Sequence, residues 1–402
     1  MTERASGGAR RHDMGRRLAI AVVIATAALA TTALMLSSQT SPPPPRPAIS
    51  GFYGSVAADA KANIQVGGAD QLRVSHRFRP GTTAGLTSVR FAQRGGPGYS
   101  SGDGGTLRIS VRPDVVGAPS DEILTSAQRA FGNPPDDWST YHDVPFEEPV
   151  QLDPDRLYHV VFEDRSGGDS DFISVNELVV FERTWPRQPL YSDRDYAVLT
   201  AQGEREWEVV PQYTAVMDLG YADGHHDGIG YIESMWREYR TISGDTQMAR
   251  QRFTVSGADR LVGEVTVRVR RTFGSDPLVL TLESDGEVVE SVEIPAHEIP
   301  VVRPDDERNG AGSWVGAKFV RDHRLRSGLT YSLRLSTAAG TEYTVVPVRE
   351  GTDTGTQGGT GHPTGFRSHR FTDGHGEATV DRGSTWTALY EWSPVDLQFY
   401  FE

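Results

Sequence analysis

No cysteine occurs anywhere in the 402 residues. Its absence excludes disulfides, thiolate metal sites, a cysteine nucleophile and a lipidated N-terminal cysteine, so the fold rests on packing and hydrogen bonding. Lysine is scarce as well, Lys61 and Lys318 being the only two, and arginine carries the remaining positive charge. Long runs of helix formers at a 3.6-residue period are also missing. Turn residues are plentiful instead, with 43 Gly and 24 Pro. Hydrophobic content of 37% and charged content of 23% belong to a chain that buries a core.

Charge is unevenly placed. The first fifty residues hold six Arg against Glu3 and Asp13, which leaves the rest of the chain at about −18 within a net charge of −14. An acidic body repels phosphate backbones, which argues against nucleic acid as a partner; its plain consequence is solubility.

Residues 18–36, from Leu18 to Leu36, form an uncharged apolar run about as long as a helix that crosses a bilayer core. Arg4, Arg10, Arg11, Arg16 and Arg17 precede it and no arginine follows until Arg46. The positive-inside rule then puts residues 1–17 in the cytoplasm and the bulk of the chain outside. Two outcomes stay open: a retained transmembrane anchor, giving a single-pass membrane protein, or a signal peptide cut near Ala28-Leu29-Ala30, giving a secreted one. Residues 37–50 contain "SPPPPRP", a stiff extended spacer.

Beyond the spacer the chain repeats itself. Residues 51–228 and 229–402 stay in step at offsets of about 171 to 180. "VGGADQLRVSHRF" faces "ISGDTQMARQRF"; Leu107, Ile109 and Val111 face Leu278, Leu280 and Leu282; Tyr158 faces Tyr331; Trp207 faces Trp386; and Asp218-Leu219 is set against Asp396-Leu397. Within each copy, stretches such as "LVLTLES", "TYSLRLST" and "RLYHVVFED" are apolar at every second position, the pattern of a strand with one buried face. Asp-Gly, Gly-Gly and Ser-Gly pairs punctuate them as turns. The expected fold is all-β: two tandem antiparallel β-sandwich domains, jelly-roll-like, after an N-terminal transmembrane helix.

"GTEYTVVPVREG", "GSTW" and the terminal "DLQFYFE" resemble the ends of jelly-roll modules found on secreted bacterial and archaeal proteins, often beside hydrolases or carbohydrate-binding modules. The resemblance covers both copies. It implies a sandwich fold and an extracellular setting, and it carries no binding residues with it.

Catalytic chemistry finds little support. "GYSSG" at Gly98 matches a nucleophile elbow, but it lies in a glycine-rich loop rather than at a strand-to-helix turn. "DGHHDG" gathers His225 and His226 with Asp223 and Asp227, yet adjacent imidazoles on an extended chain point to opposite faces, and a turn explains the composition. "VRPDDERNG" and "GGDSDF" are acidic loops, which makes structural calcium the one cofactor to consider; no cofactor is otherwise expected. Aromatics remain, since sugar rings stack their C–H faces on Trp and Tyr. The candidates are Trp185, Trp207 and Tyr213 in the first copy and Trp386, Tyr390 and Trp392 in the second. The shared position of Trp207 and Trp386 also suits core or turn packing. Trp392 is the strongest single candidate, because the first copy has no tryptophan there.

Three functions are compatible with these readings. The first is a non-catalytic module binding polysaccharide or another surface ligand, where duplication raises avidity. The second is a structural or adhesive surface protein that recognises protein. The third is a hydrolase whose carboxylates meet across strands.

Overall fold

The computed structural model describes residues 48–50, 52–58, 62–94, 104–132, 139–166, 175–182, 195–231, 240–244, 246–301, 312–345, 347–349, 373–389 and 395–402. The apolar run 18–36 lies outside them. Among the described residues no helix is long and apolar enough to cross a membrane, and the helical content is one 3-10 turn, Ala296–Glu298. The fold is all-β, as period-two alternation requires: Thr330–Ser336, for instance, buries every second residue.

Each half builds its strands into matching ladders. In the first, Thr125–Gly132, Gly104–Val115, Tyr158–Asp164, Leu72–Phe78 and Ala197–Gln202 pair in that order, and Ala197–Gln202 pairs on with Glu208–Ala215. In the second, Glu287–Ile294, Leu278–Ser284, Thr330–Ser336, Met248–Thr254, Gly374–Thr379 and Thr387–Ala388 repeat the order. Registers agree as well. The row Val74, Phe162, Ile109 has its counterpart in Ala249, Leu335, Leu280.

The opposing ladders also correspond. Leu86–Arg94 pairs with Ser139–Val150, Val175–Glu182 and Met217–Tyr221; Arg260–Phe273 pairs with Ser313–Leu325, Glu342–Val345 and Phe399–Phe401. Inward side chains of both ladders meet in one apolar core in each half, with Val74, Ile109 and Phe162 against Val89, Val144 and Leu178 in the first. A corner tyrosine recurs too: the hydroxyls of Tyr158 and Tyr331 each accept from the backbone N–H five residues upstream, at Asp153 and Arg326.

The last strands correct one part of the sequence alignment. Leu219 lies opposite Val89 and Phe401 opposite Val265, and those two valines themselves face Val144 and Ala317. Leu219 therefore corresponds to Phe401, four residues beyond Leu397. The Asp-Leu pairs are alike in letters and different in place: Asp218 accepts from the His226 ring, whereas Asp396 accepts from Gln251. A match of two residues cannot outweigh a ladder that fixes every neighbour.

How the chain crosses between halves was not legible in the alignment. His226–Tyr231 hydrogen-bonds to Met217–Tyr221 in the first half's sheet, and Tyr53–Ser55 takes the same place beside Phe399–Phe401 in the second. Gly228 opposes Asp218 and Gly54 opposes Tyr400 at corresponding positions. A strand near the start of the described chain thus closes onto the last one. Phe52 goes with it, its ring 5.5 Å from Tyr400 and 5.6 Å from Tyr196. Residues 47–402 accordingly form one compact unit.

Candidate functional site

Trp207 sits in the turn between Ala197–Gln202 and Glu208–Ala215, and Trp386 in the turn before Thr387–Ala388. Both rings are half-buried, outside either core. Each lies under an arginine from the central strand of its sheet. The Arg73 guanidinium carbon is 5.0 Å from the Trp207 ring centre, and that of Arg250 is 4.0 Å from Trp386.

A carboxylate fixes Arg250 and stands near Arg73, whose Nη2 donates to the Arg205 carbonyl at 3.3 Å. Arg250 Nε donates to Glu377 Oε2 at 2.5 Å, and the His375 ring lies 3.3 Å from the other oxygen of Glu377. Arg73 is 3.9 Å from Glu163, which also accepts from Arg108 at 2.6 Å and Arg112 at 2.7 Å. The arginines are not at matching positions. Phe78 corresponds to Phe253, so Arg73 falls on Met248 and Arg250 on Ser75. The two halves reach the same grouping of indole, guanidinium and carboxylate from residues two places apart on one strand face. Such a grouping offers an apolar ring and charge-assisted hydrogen-bonding groups side by side on the outer face of a sheet.

The other candidates are less informative. Tyr213 is half-buried and packs against the first core. Trp185, Tyr390 and Trp392 lie outside the described residues, as do "GYSSG" and both acidic loops. Just after Trp386, Thr387 and Ala388 are exposed and Leu389 is buried. Among the described residues no group of three or more His, Asp or Glu could hold a metal ion.

A second site lies where the halves meet, and only its "DGHHDG" portion was visible in the sequence. His225 and His226 diverge as adjacent residues of an extended chain must: His226 Nδ1 is 3.0 Å from Asp218, while buried His225 has Nδ1 3.1 Å from Ser256 Oγ and Nε2 3.3 Å from Arg260 Nη2. Burial, reinforced by Arg260, lowers the His225 pKa to about 3, so the ring is neutral and its Nε2 accepts from Arg260. Burial raises Asp227 to about 6 against the opposing pull of Arg260. Asp227 accepts from the hydroxyl of buried Tyr196 at 3.2 Å and from its neighbour's backbone N–H at 3.0 Å. Arg260 lies 4.8 Å from the Tyr53 ring centre, and the Tyr53 hydroxyl donates to Asp373 at 2.6 Å. Burial pushes both tyrosine hydroxyls well above their ordinary range. Arg260 and Tyr53 gave no sequence signal, because what joins them is the closing strand.

No protein-family model matches the chain, and no curated protein matches it.

Proposed function

We propose that this is an exported, non-catalytic protein of two jelly-roll-like β-sandwich repeats, 51–228 and 229–402, that binds carbohydrate on the Trp207 and Trp386 faces, held at the cell surface or released according to the fate of residues 18–36. One observation carries the reading: both halves present a half-buried tryptophan under an arginine with a carboxylate beside it, hydrogen-bonded in the second half and 3.9 Å away in the first, built from non-equivalent arginines. A stacking contact kept only for stability needs no carboxylate and no repetition. A sugar uses all three groups, its C–H face on the indole and its hydroxyls on the charged pair. Two such faces on one chain strengthen each other on a polymeric ligand through effective concentration.

The test is retention of the full chain on insoluble cell-wall and plant polysaccharides, with W207A, W386A and the double variant. Each single change should weaken retention about tenfold or more through lost avidity, and the double change should abolish it. Stability should fall by only about 0.5–1 kcal/mol per stacked pair, so unfolding would not explain the loss. Wild-type retention on none of these polymers, or undiminished retention of the double variant, overturns the proposal; capture by a cell-surface protein instead would turn it towards adhesion.

A further inference from the structure

A cleft of about 190 Å³ opens at the junction of the halves, lined by Ser50, Phe52, Arg79, Gly81, Asp195 and Arg260 among others. Much of that space is the open mouth of the cleft, and its enclosed part has room for about one water-sized group, so a ligand would seat at the mouth with one polar group reaching inward and an oligosaccharide is too large.

Arg260 is the unusual member. It is 2% exposed and yet has no carboxylate partner among the described residues. Its Nη2 meets the neutral His225 ring, its flat face lies near Tyr53, and its Nε is buried without a hydrogen bond. Asp227 feels its field but forms no ion pair with it. A guanidinium is always charged and presents five N–H donors, so a buried one met by a neutral ring, an aromatic face and the field of Asp227 without a direct ion pair is incompletely compensated.

The rim adds a second guanidinium. Arg79 Nε donates to Asp195 at 3.3 Å and its Nη1 to the Pro154 carbonyl at 3.4 Å, while its Nη2 makes no hydrogen bond among the described residues. The Arg79 side chain is 26% exposed. Gly81 lets the lining pack closely: a side chain there would put its Cβ 2.3 Å from Asp227 Oδ2 and 3.1 Å from His225 Nε2.

We propose that this cleft is a site for a small oxyanion, a carboxylate or phosphate group, taken by Arg260 with Arg79 and the Ser50 hydroxyl at its mouth. The anion would supply the charge that Arg260 lacks and would bridge Ile49–Ser50 to the rest of the junction, so binding and closure of the two halves are linked. The site is separate from the tryptophan faces, and failure at one leaves the other standing.

The experiment titrates the full-length protein at pH 7 with sodium phosphate and, separately, with acetate and glucuronate. Heat of binding and melting temperature are followed against sodium chloride of equal ionic strength. A saturable heat and a saturable rise in melting temperature with phosphate, with carboxylates, or with both supports the site, and the arm that responds identifies the group it prefers. R260Q should weaken the responding arm by about a hundredfold and R79Q by about tenfold, with W207A/W386A unchanged. Should R260Q fail to fold, R79Q decides, since undiminished anion binding in R79Q overturns the proposal. So does a response to all these salts no greater than that to chloride.

Discussion

The closing strand makes a sharp prediction at Gly54. A methyl group at this position would lie 2.2 Å from the Phe399 carbonyl oxygen and 2.5 Å from the Tyr400 Cα, both backbone atoms. Neither can swing aside as a flexible side chain would, so Gly54→Ala must move the strand by about 1 Å or detach it. Overpacking of this kind costs about 1–3 kcal/mol where the strand stays paired. If the strand leaves, buried Phe52 and Tyr53 leave with it, at about 1.5–3 kcal/mol each. Gly54→Ala should therefore destabilise by about 1–3 kcal/mol if the strand stays paired and by about 3–6 kcal/mol if it leaves. Gly228→Ala should do at least as much, because its Cβ would fall 2.1 Å from the Met217 carbonyl oxygen and its φ is +124°. The control is Gly132→Ala, where nothing lies within 4 Å and the backbone is ordinary; it should be neutral within about 0.5 kcal/mol. Urea unfolding of the full-length protein, followed by tryptophan fluorescence and circular dichroism, measures all three. If Gly54→Ala unfolds with Gly132→Ala at the wild-type midpoint, the strand Tyr53–Ser55 is not part of the folded sheet and the closure argument fails.

Other expectations follow from buried polar groups. His76 is fully buried with both ring nitrogens unpartnered, and its counterpart Gln251 is bonded to Asp396 and to the Leu397 N–H. His76→Leu should raise stability by about 1 kcal/mol at pH 7 and Gln251→Leu should lower it by about 1–3 kcal/mol, both read from urea midpoints; the same sign for both would refute the contrast. Acid should destabilise strongly. Burial lowers His76 and His225 to about 3 and His142 and His159 to about 4, from 6.5. Their contribution is complete above pH 6.5 and is lost as the pH falls towards these values. Asp227, raised from 3.8 to about 6, opposes them, since its contribution is complete below its unfolded value and is lost as pH rises through 6. At pH 5 these five groups together make unfolding take up about three protons. Asp227→Asn should raise that uptake to about four, measurable as a steeper fall of stability between pH 6 and 4.5.

Much of the strand inventory was legible because alternation is local: Leu278, Leu280 and Leu282 announce a buried face whatever they pair with. The correspondence of Trp207 with Trp386 was legible for the same reason, each sitting at a turn before a short strand. What sits on each indole was not. Arg73 and Arg250 are two places apart in the alignment, and a shared chemistry built from unshared positions leaves no trace in aligned letters. The junction was half legible: "DGHHDG" stood out by composition, while Arg260 and Tyr53 are separated from it by about 35 and 172 residues of chain.

The sequence by itself determined an all-β chain, free of thiols, acidic in its body and repeated along its length. Those properties depend on composition and on a two-residue period, and each residue contributes to them without reference to distant ones. Tertiary structure alone decided that Tyr53–Ser55 closes onto Phe399–Phe401, that Asp218 and Asp396 occupy different places, and that Arg260 is buried beside a neutral His225. The physical reason is that strand pairing and burial of charge depend on which backbones approach each other. That approach is chosen by the best packing of the whole core, not by any segment within it.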